Sequence, residues 1–283
     1  MSVRRRLDLE LVRRGLVDSR EQAQAAVAAG TVLVGGALAD KPARLVSPAD
    51  AVTVLATEQR FVSRGGQKLD AALDRFDIEV AGLRALDAGA STGGFTDCLL
   101  QRRASSVTAV DVGRGQLHSR LAADRRVHSL ERTNIRYATL EQLGGRPFHV
   151  VVADLSFISL RTVAPVVLGP VAAEGAAAVF LVKPQFEAGR SEVSRGKGVI
   201  RDPAVWSHAL LRVLGALERH QAAMMGLMVS PVTGADGNVE FLAYFLAHSV
   251  DADSGAEAGG GRLPAAVARV VAEAAARHGM ELG

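Results

Sequence analysis

The densest run of chemistry-bearing residues is Asp87-Ala88-Gly89-Ala90-Ser91-Thr92-Gly93-Gly94-Phe95-Thr96. It follows a stretch that reads as a strand and precedes one that reads as a helix. A glycine-rich turn there lets the backbone approach a ligand closely. The spacing is not the Gly-x-Gly-x-x-Gly of a dinucleotide site, and no Gly-Lys-Ser/Thr follows as a P-loop requires. About twenty residues on, Val110-Asp111-Val112 ends the next strand, where an acid can accept both hydroxyls of a ribose. An adenosyl ligand without a pyrophosphate meets both conditions, which points to S-adenosylmethionine.

A second constellation is Lys68, Asp154, Lys183 and Glu240. Asp154 and Lys183 each sit at the carboxyl end of an apolar run, where open α/β sheets place their ligands. Glu240 opens the last such run, and Lys68 lies on a helical stretch further upstream. Any one of the four could be half of an ordinary salt bridge. Their joint placement is what suggests a site. The lone cysteine, Cys98, reads as a buried helix residue, and the seven histidines show no metal-binding spacing, so no metal is expected.

The elements that must hold these residues follow from the hydrophobic pattern. Residues 84–87, 107–112, 127–130, 150–155, 177–183, 224–230 and 240–247 read as strands. Helical patterns run over 63–76 and 95–102, and strands separated by helices imply βαβ units and a parallel sheet. The last two strands are joined through a turn at 234–237, too brief for a parallel crossover, and should be antiparallel. The expected fold is α/β: a Rossmann-like, mostly parallel sheet with an antiparallel last strand, preceded by a small α+β domain.

That small domain occupies residues 1–56. Leu7, Leu11 and Leu16 with Val12 and Val17 give a helical stripe that Gly15 can terminate. Ser19 with Gln22 has capping-box spacing and opens a second helix ending at Gly30. Thr31 to Val34, a turn at Gly35-Gly36 and a run at 51–55 read as strands. Residues 57–62 read as a linker, 63–250 as the α/β domain, 251–262 as a flexible Gly/Ala-rich segment, and 263–283 as a terminal helix or tail.

The formal net charge is only +3, so the distribution of charge matters more than its sum. Residues 1–20 carry six arginines against three acids, and residues 102–136 carry eight against three. The preference for arginine suits bidentate phosphate contacts, although a GC-rich genome produces the same bias. The chain opens without a secretory h-region and has no run of the ~20 apolar residues that a spanning helix needs. A single cysteine excludes an intramolecular disulfide framework. The expectation is a soluble, cytoplasmic monomer with no membrane insertion.

The N-terminal stretch resembles the RNA-binding domain named after ribosomal protein S-four. The resemblance rests on Arg4-Arg5-Arg6-Leu7-Asp8, Leu11-Val12, Ser19-Arg20-x-x-Ala23 and Gly30-x-Val32-x-Val34-x-Gly36. The larger part resembles the hemolysin-A/TlyA family of ribosomal RNA methyltransferases, whose catalytic domain is of the FtsJ (RrmJ) type. Its carrying segments are Ser63-Arg64-Gly65-Gly66-x-Lys68-Leu69, the Asp87–Thr96 turn, Ala109-Val110-Asp111-Val112-Gly113, Glu131-Arg132-Thr133-Asn134, Asp154-Leu155-Ser156-Phe157-Ile158-Ser159-Leu160, Val182-Lys183-Pro184-Gln185-Phe186-Glu187 and Gly237-Asn238-x-Glu240.

The resemblance implies a class I methyltransferase sheet that uses S-adenosylmethionine to methylate a ribose 2′-hydroxyl, of cytidine in 16S and/or 23S ribosomal RNA. It places the family's Lys-Asp-Lys-Glu tetrad on Lys68, Asp154, Lys183 and Glu240. A 2′-hydroxyl must lose its proton as it attacks, and a lysine serves as base only if its pKa of ~10.4 is depressed. A second lysine and partial burial act in that direction, whereas carboxylates oppose it. The roles expected are Lys183 as base, Asp154 as its orienter, and Lys68 with Glu240 as positioning groups. Gly89, Ala90, Gly93 and Phe95 should line the methionine side, Ser91 and Thr92 should hydrogen-bond, Asp111 should take the ribose, and Glu131 or Asn134 should lie near the adenine. Arg4, Arg5, Arg6, Arg14, Arg20 and Arg64 should contact RNA, with ribosomal subunits as partners. The competing readings are a non-catalytic RNA-binding or ribosome-assembly protein, which an intact tetrad disfavours, and a membrane-active hemolysin, for which only the Ala-rich tail offers an amphipathic segment.

Overall fold

A computed structural model describes residues 4–17, 20–55, 60–189, 198–234, 237–248 and 259–280. The Ser19 cap, half of the expected linker, the tip of the 234–237 turn and most of the 251–262 segment lie outside them. Contacts divide the chain into two compact units, Met1–Arg60 and Phe61–Gly283.

In the first unit, strand β1 (Arg5–Arg6) leads into helices α1 (Leu7–Arg13) and α2 (Arg20–Ala28). Strands β2 (Val32–Val34), β3 (Ala37–Leu38), β4 (Leu45–Val46) and β5 (Val52–Val54) follow. The two-residue strands β1, β3 and β4 carry too little pattern to read from sequence. Leu7, Leu11, Ala23, Val27, Val32 and Val46 form the core. Two acids are buried with it. Asp8 accepts from Arg6, Arg20 and Gln24, and Glu10 accepts from Arg13 and Arg14. The Arg6 contact holds Asp8 well below the usual carboxylate range, and Arg13 with Arg14 brings Glu10 down to about 2.

The second unit is built on seven strands: β6 (Arg84–Ala88), β7 (Ser106–Val110), β8 (Val127–Leu130), β9 (Phe148–Ala153), β10 (Ala172–Val182), β11 (Ala222–Val229) and β12 (Phe241–Ala247). Their order is β11-β12-β10-β9-β6-β7-β8. The pairs from β10 to β8 are parallel, and β12 runs antiparallel to both β10 and β11. Helices cover both faces, so the central strands are apolar on both sides. Val150 and Val152 of β9 face the core that holds Leu69, Leu73, Phe95 and Leu99, while Val151 and Ala153 face the opposite one. The first core is supplied by α3 (Arg64–Arg75) and α4 (Gly94–Gln101). The other is supplied by α6 (Leu160–Val167), α8 (Pro203–Glu218) and α9 (Gly259–His278). Between these lie two single turns, α5 (Ser119–Ala122) and α7 (Pro184–Glu187).

Chain direction reverses at β6. The chain first moves outward through β7 and β8, then returns to place β9 on the other side of β6. The turns after β6 and β9 therefore diverge and open a crevice at their carboxyl ends.

The terminal helix is an integral part of this unit. Val267, Val270, Val271 and Ala274 are buried in the larger core with Trp206, Leu210 and Leu214. Val270→Ala should cost about 1–3 kcal/mol in urea unfolding and leave cofactor affinity unchanged, because the helix contributes packing and lies off the crevice.

Candidate active site

The turn after β6 decides how closely the backbone can come to the crevice. Gly89 has φ +88°, and a Cβ there would lie 2.5 Å from the Asp154 carbonyl oxygen. Only glycine lets the β6 and β9 ends pass at that distance. Gly93, at φ 95°, caps α4. A Cβ on it would strike Leu117 and Leu121, so the start of α4 packs closely on those side chains. Ser91 holds φ 48° without being glycine. Its amide donates to Asp111 Oδ2 (2.8 Å), and Gly113 N donates to Oδ1 (2.7 Å). Asp111 thus ties the glycine turn to the end of β7 and keeps unused lone pairs for a ligand.

Two connected recesses open here. One, of about 560 Å³, is lined by Gly89, Ser91, Val110, Asp111, Val112, Gln116, Thr133, Asn134, Ile135, Asp154, Leu155, Ser156, Phe157 and Ile158. Carboxylate and amide groups on one side, with Val112, Ile135 and Ile158 on the other, suit a nucleoside: a polar sugar and a flat base. Asn134 is in this wall. Glu131 borders a smaller recess beside Asp111, and its Oε1 accepts from Gly115 N (2.6 Å), so it holds the 113–117 loop.

The other recess, about 280 Å³, gathers Ser63, Arg64, Gly65, Lys68, Ala90, Thr92, Phe95, Asp154, Ser156, Lys183, Gly234 and Glu240. All four residues of the second constellation meet in it, from positions up to 172 residues apart. They form two pairs. Lys68 Nζ donates to Glu240 Oε2 at 2.5 Å, and both are buried. Lys183 Nζ lies 2.5 Å from Asp154 Oδ1, an ion pair without hydrogen-bond alignment, and donates to Ser156 Oγ at 3.1 Å. Burial pushes the Glu240 carboxyl up, and Lys68 opposes that shift. Gly234 is shaped by this arrangement, since a Cβ would lie 2.2 Å from Glu240 Oε1.

Beneath the glycine turn lies Asp87, fully buried, with Oδ2 accepting from Thr96 Oγ1 (2.6 Å) and Oδ1 without a hydrogen bond. Burial raises it to about 7. Sequence reasoning gave Ser156, Phe157 and Ile158 no role, although they lie in one of the carrying segments. Phe157 is 92 % exposed at the mouth of the larger recess, at φ 66°. An aromatic ring left in water on a strained backbone was the feature to look for.

A family model for FtsJ-like methyltransferases matches residues 61–246, and one for the S4 domain matches residues 5–52. The chain belongs to the FtsJ-like methyltransferase family. It is 48% identical to the 16S/23S rRNA (cytidine-2′-O)-methyltransferase TlyA of Mycobacterium tuberculosis, over 96% of this chain and 99% of that one. It is 38% identical to Hemolysin A of Brachyspira hyodysenteriae, over 85% of this chain and 99% of that one. Among solved structures, a candidate hemolysin of Streptococcus thermophilus superposes with a TM-score of 0.72 at 34% identity, covering 99% of this chain and 100% of the other. Among the described residues of this FtsJ-like chain, no helix is long and apolar enough to cross a membrane, and no group of His, Cys, Asp or Glu is arranged to hold a metal ion.

Two substitutions test the cofactor side. Asp111→Ala should weaken S-adenosylmethionine binding by roughly 1.5–3 kcal/mol through loss of a charge-assisted contact, read by calorimetry. Gly89→Ala should weaken it by roughly tenfold or more, ~1.4 kcal/mol, because the added methyl must displace the Asp154 backbone.

Proposed function

We propose that the chain methylates the 2′-hydroxyl of a cytidine in ribosomal RNA, 16S and/or 23S, with S-adenosylmethionine as donor. The observation that carries this reading is the meeting of two lysine–carboxylate pairs beside a glycine turn that can cradle the donor. The similarity to a cytidine-2′-O-methyltransferase over nearly the whole of both chains supports the substrate.

The donor, when bound, supplies a methyl group on a positively charged sulfur. Gly89, Ser91, Asp111 and Asn134 would hold its nucleoside part, and Ala90, Thr92 and Phe95 lie toward the recess of the lysines. Methyl transfer needs the hydroxyl proton removed as the new O–C bond forms. In this reading Lys183 receives that proton as a neutral amine, and the Asp154 carboxylate holds the ammonium that results. Asp154 and Ser156 aim its amine. Lys68 and Glu240 form the fixed opposite wall, against which the ribose is oriented. The exposed Phe157 ring gives an unstacked base a surface to lie on, which a duplex-buried ribose would require.

The N-terminal S4 unit would anchor the RNA. Arg4 and Arg5 are exposed, with nothing but solvent required of them. Arg6 and Arg20 share Asp8 but keep substantial exposure. Arg14 is turned inward, donating to Glu10 and to the Ser47, Pro48 and Asp50 carbonyls, so its first duty is to the unit's own loop. Arg64 stands at the rim of the lysine recess. The partner is then a ribosomal subunit.

Lys183→Ala should slow single-turnover methylation of ribosomal subunits by ~10²–10⁴-fold and leave donor affinity near wild type. A wild-type rate would remove Lys183 from the role of base. Charge reversal at Arg4 and Arg5 should weaken RNA binding and reduce its salt slope by about 0.7–0.9 per lost phosphate contact, with an unchanged melting temperature. Arg6 and Arg20 are unsuitable for that test, because reversing either would face the buried Asp8 with a second negative charge.

A further inference from the structure

Glu187 is a buried acid that the methyl-transfer reading leaves unused. It is 4% exposed and closes the turn that begins at Lys183. Its Oε2 accepts from Ser159 Oγ (2.5 Å) and its Oε1 from Leu160 N (2.7 Å). Arg161 Nε lies 3.7 Å away, and Arg212 on α8 adds attraction. Leu160 N is one of the amides that the first turn of a helix leaves without an internal acceptor. An acceptor-only carboxylate satisfies it and the Ser159 hydroxyl together.

The loop that Glu187 grips is the one that carries the chemistry. Residues 154–159 supply Asp154 and Ser156 to Lys183, Phe157 to the mouth, and Leu155 and Ile158 to the nucleoside wall. Among the described residues, Asp154 N donates to Ala88 O, and no backbone amide of 155–158 is hydrogen-bonded. The loop is therefore fixed at its two ends: at Asp154 by the sheet, and at Ser159–Leu160 by Glu187. The 183–187 turn thus meets this loop three times. Lys183 meets Asp154 and Ser156, Phe186 meets Phe157 with ring centroids 5.2 Å apart, and Glu187 meets Ser159 and Leu160.

We infer that Glu187 is a positioning residue for methyl transfer: by anchoring the far end of the 154–159 loop, whose near end the sheet already fixes at Asp154, it holds Ser156 against the Lys183 amine. The inference rests on the reading of Lys183 as base. It separates Glu187 from a residue that merely contributes to folding, because Ser156, which it restrains, is one of the two groups that aim the base.

The test uses the full chain with unmodified ribosomal subunits, saturating S-adenosylmethionine and a temperature well below every variant's melting midpoint. Glu187→Ala should slow single-turnover methylation by roughly tenfold to a hundredfold, the scale of a misplaced catalytic group. Glu187→Gln should recover the rate to within about threefold of wild type, since its amide oxygen can accept from Leu160 N and its NH₂ can donate to Ser159 Oγ. Ser159→Ala removes one of the two donors and should fall between them, which keeps the test open should Glu187→Ala fold poorly. A purely structural role lowers the melting midpoint and leaves the rate at saturation untouched. Glu187→Ala or Ser159→Ala running at the wild-type rate, beside an inactive Lys183→Ala, would overturn the inference alone. So would equal impairment of the Ala and Gln variants at position 187. Lys183→Ala running at the wild-type rate would instead overturn the base assignment on which the inference rests.

Discussion

A lysine ammonium withdrawn from water costs several kcal/mol unless a carboxylate meets it, and the removal of either partner leaves the other buried and alone. Lys68 and Glu240 are bound by that constraint. The first is on the helix that enters the catalytic unit, and the second opens its last strand. Their pairing ties α3 to the start of β12 and sets one wall of the recess. Lys183 and Asp154 are less deeply placed, and they join the ends of the neighbouring parallel strands β10 and β9. Between the two pairs, the recess is defined from both sides by charge that has nowhere else to go.

The remaining architecture serves that geometry. A sheet buried on both faces presents its strand ends at fixed spacing, and the reversal of direction at β6 opens the crevice where the strand-end loops diverge. Close approach is then a matter of atoms that are missing. Gly89 lets β6 pass the Asp154 carbonyl, Gly94 lets α4 approach Ser63 and Gly66, and Gly234 leaves room for the Glu240 carboxylate. Each is a place where a methyl group would collide with backbone or with the Glu240 carboxylate.

In the S4 unit the same electrostatic rule works to another end. Asp8 and Glu10 are buried in a small core, and arginines reach in from the surface to neutralise them. The basic surface is thereby partly assigned to the unit's own fold. On the proposed reading the exposed Arg4 and Arg5 are left for RNA, and this division is invisible in a count of charges.

The sequence by itself determined the elements and the ingredients. Alternating strand and helix patterns placed all seven strands of the sheet to within a few residues, apart from the long amino-terminal extension of β10. The brevity of the last connection made β12 antiparallel, and Asp87–Thr96 with Asp111 marked a turn and a strand end that meet at the crevice. Those signals are local, set by hydrophobic period, chain length and glycine spacing. Partnership is not local. That Lys68 pairs with Glu240 and Lys183 with Asp154 is decided by which strand ends the sheet order makes neighbours. The same holds for Arg14, which turns inward although its sequence context matches that of Arg13, and for Glu131, which grips the Gly115 amide while Asn134 lines the larger recess. Glu187 meets Ser159 and Leu160 only because β9 and β10 are adjacent, bringing them to its carboxylate from 28 and 27 positions earlier in the chain. Sequence names the groups; folding decides which of them share a charge, because electrostatic and hydrogen-bonding energies depend on distances of a few ångströms that only the packed sheet fixes.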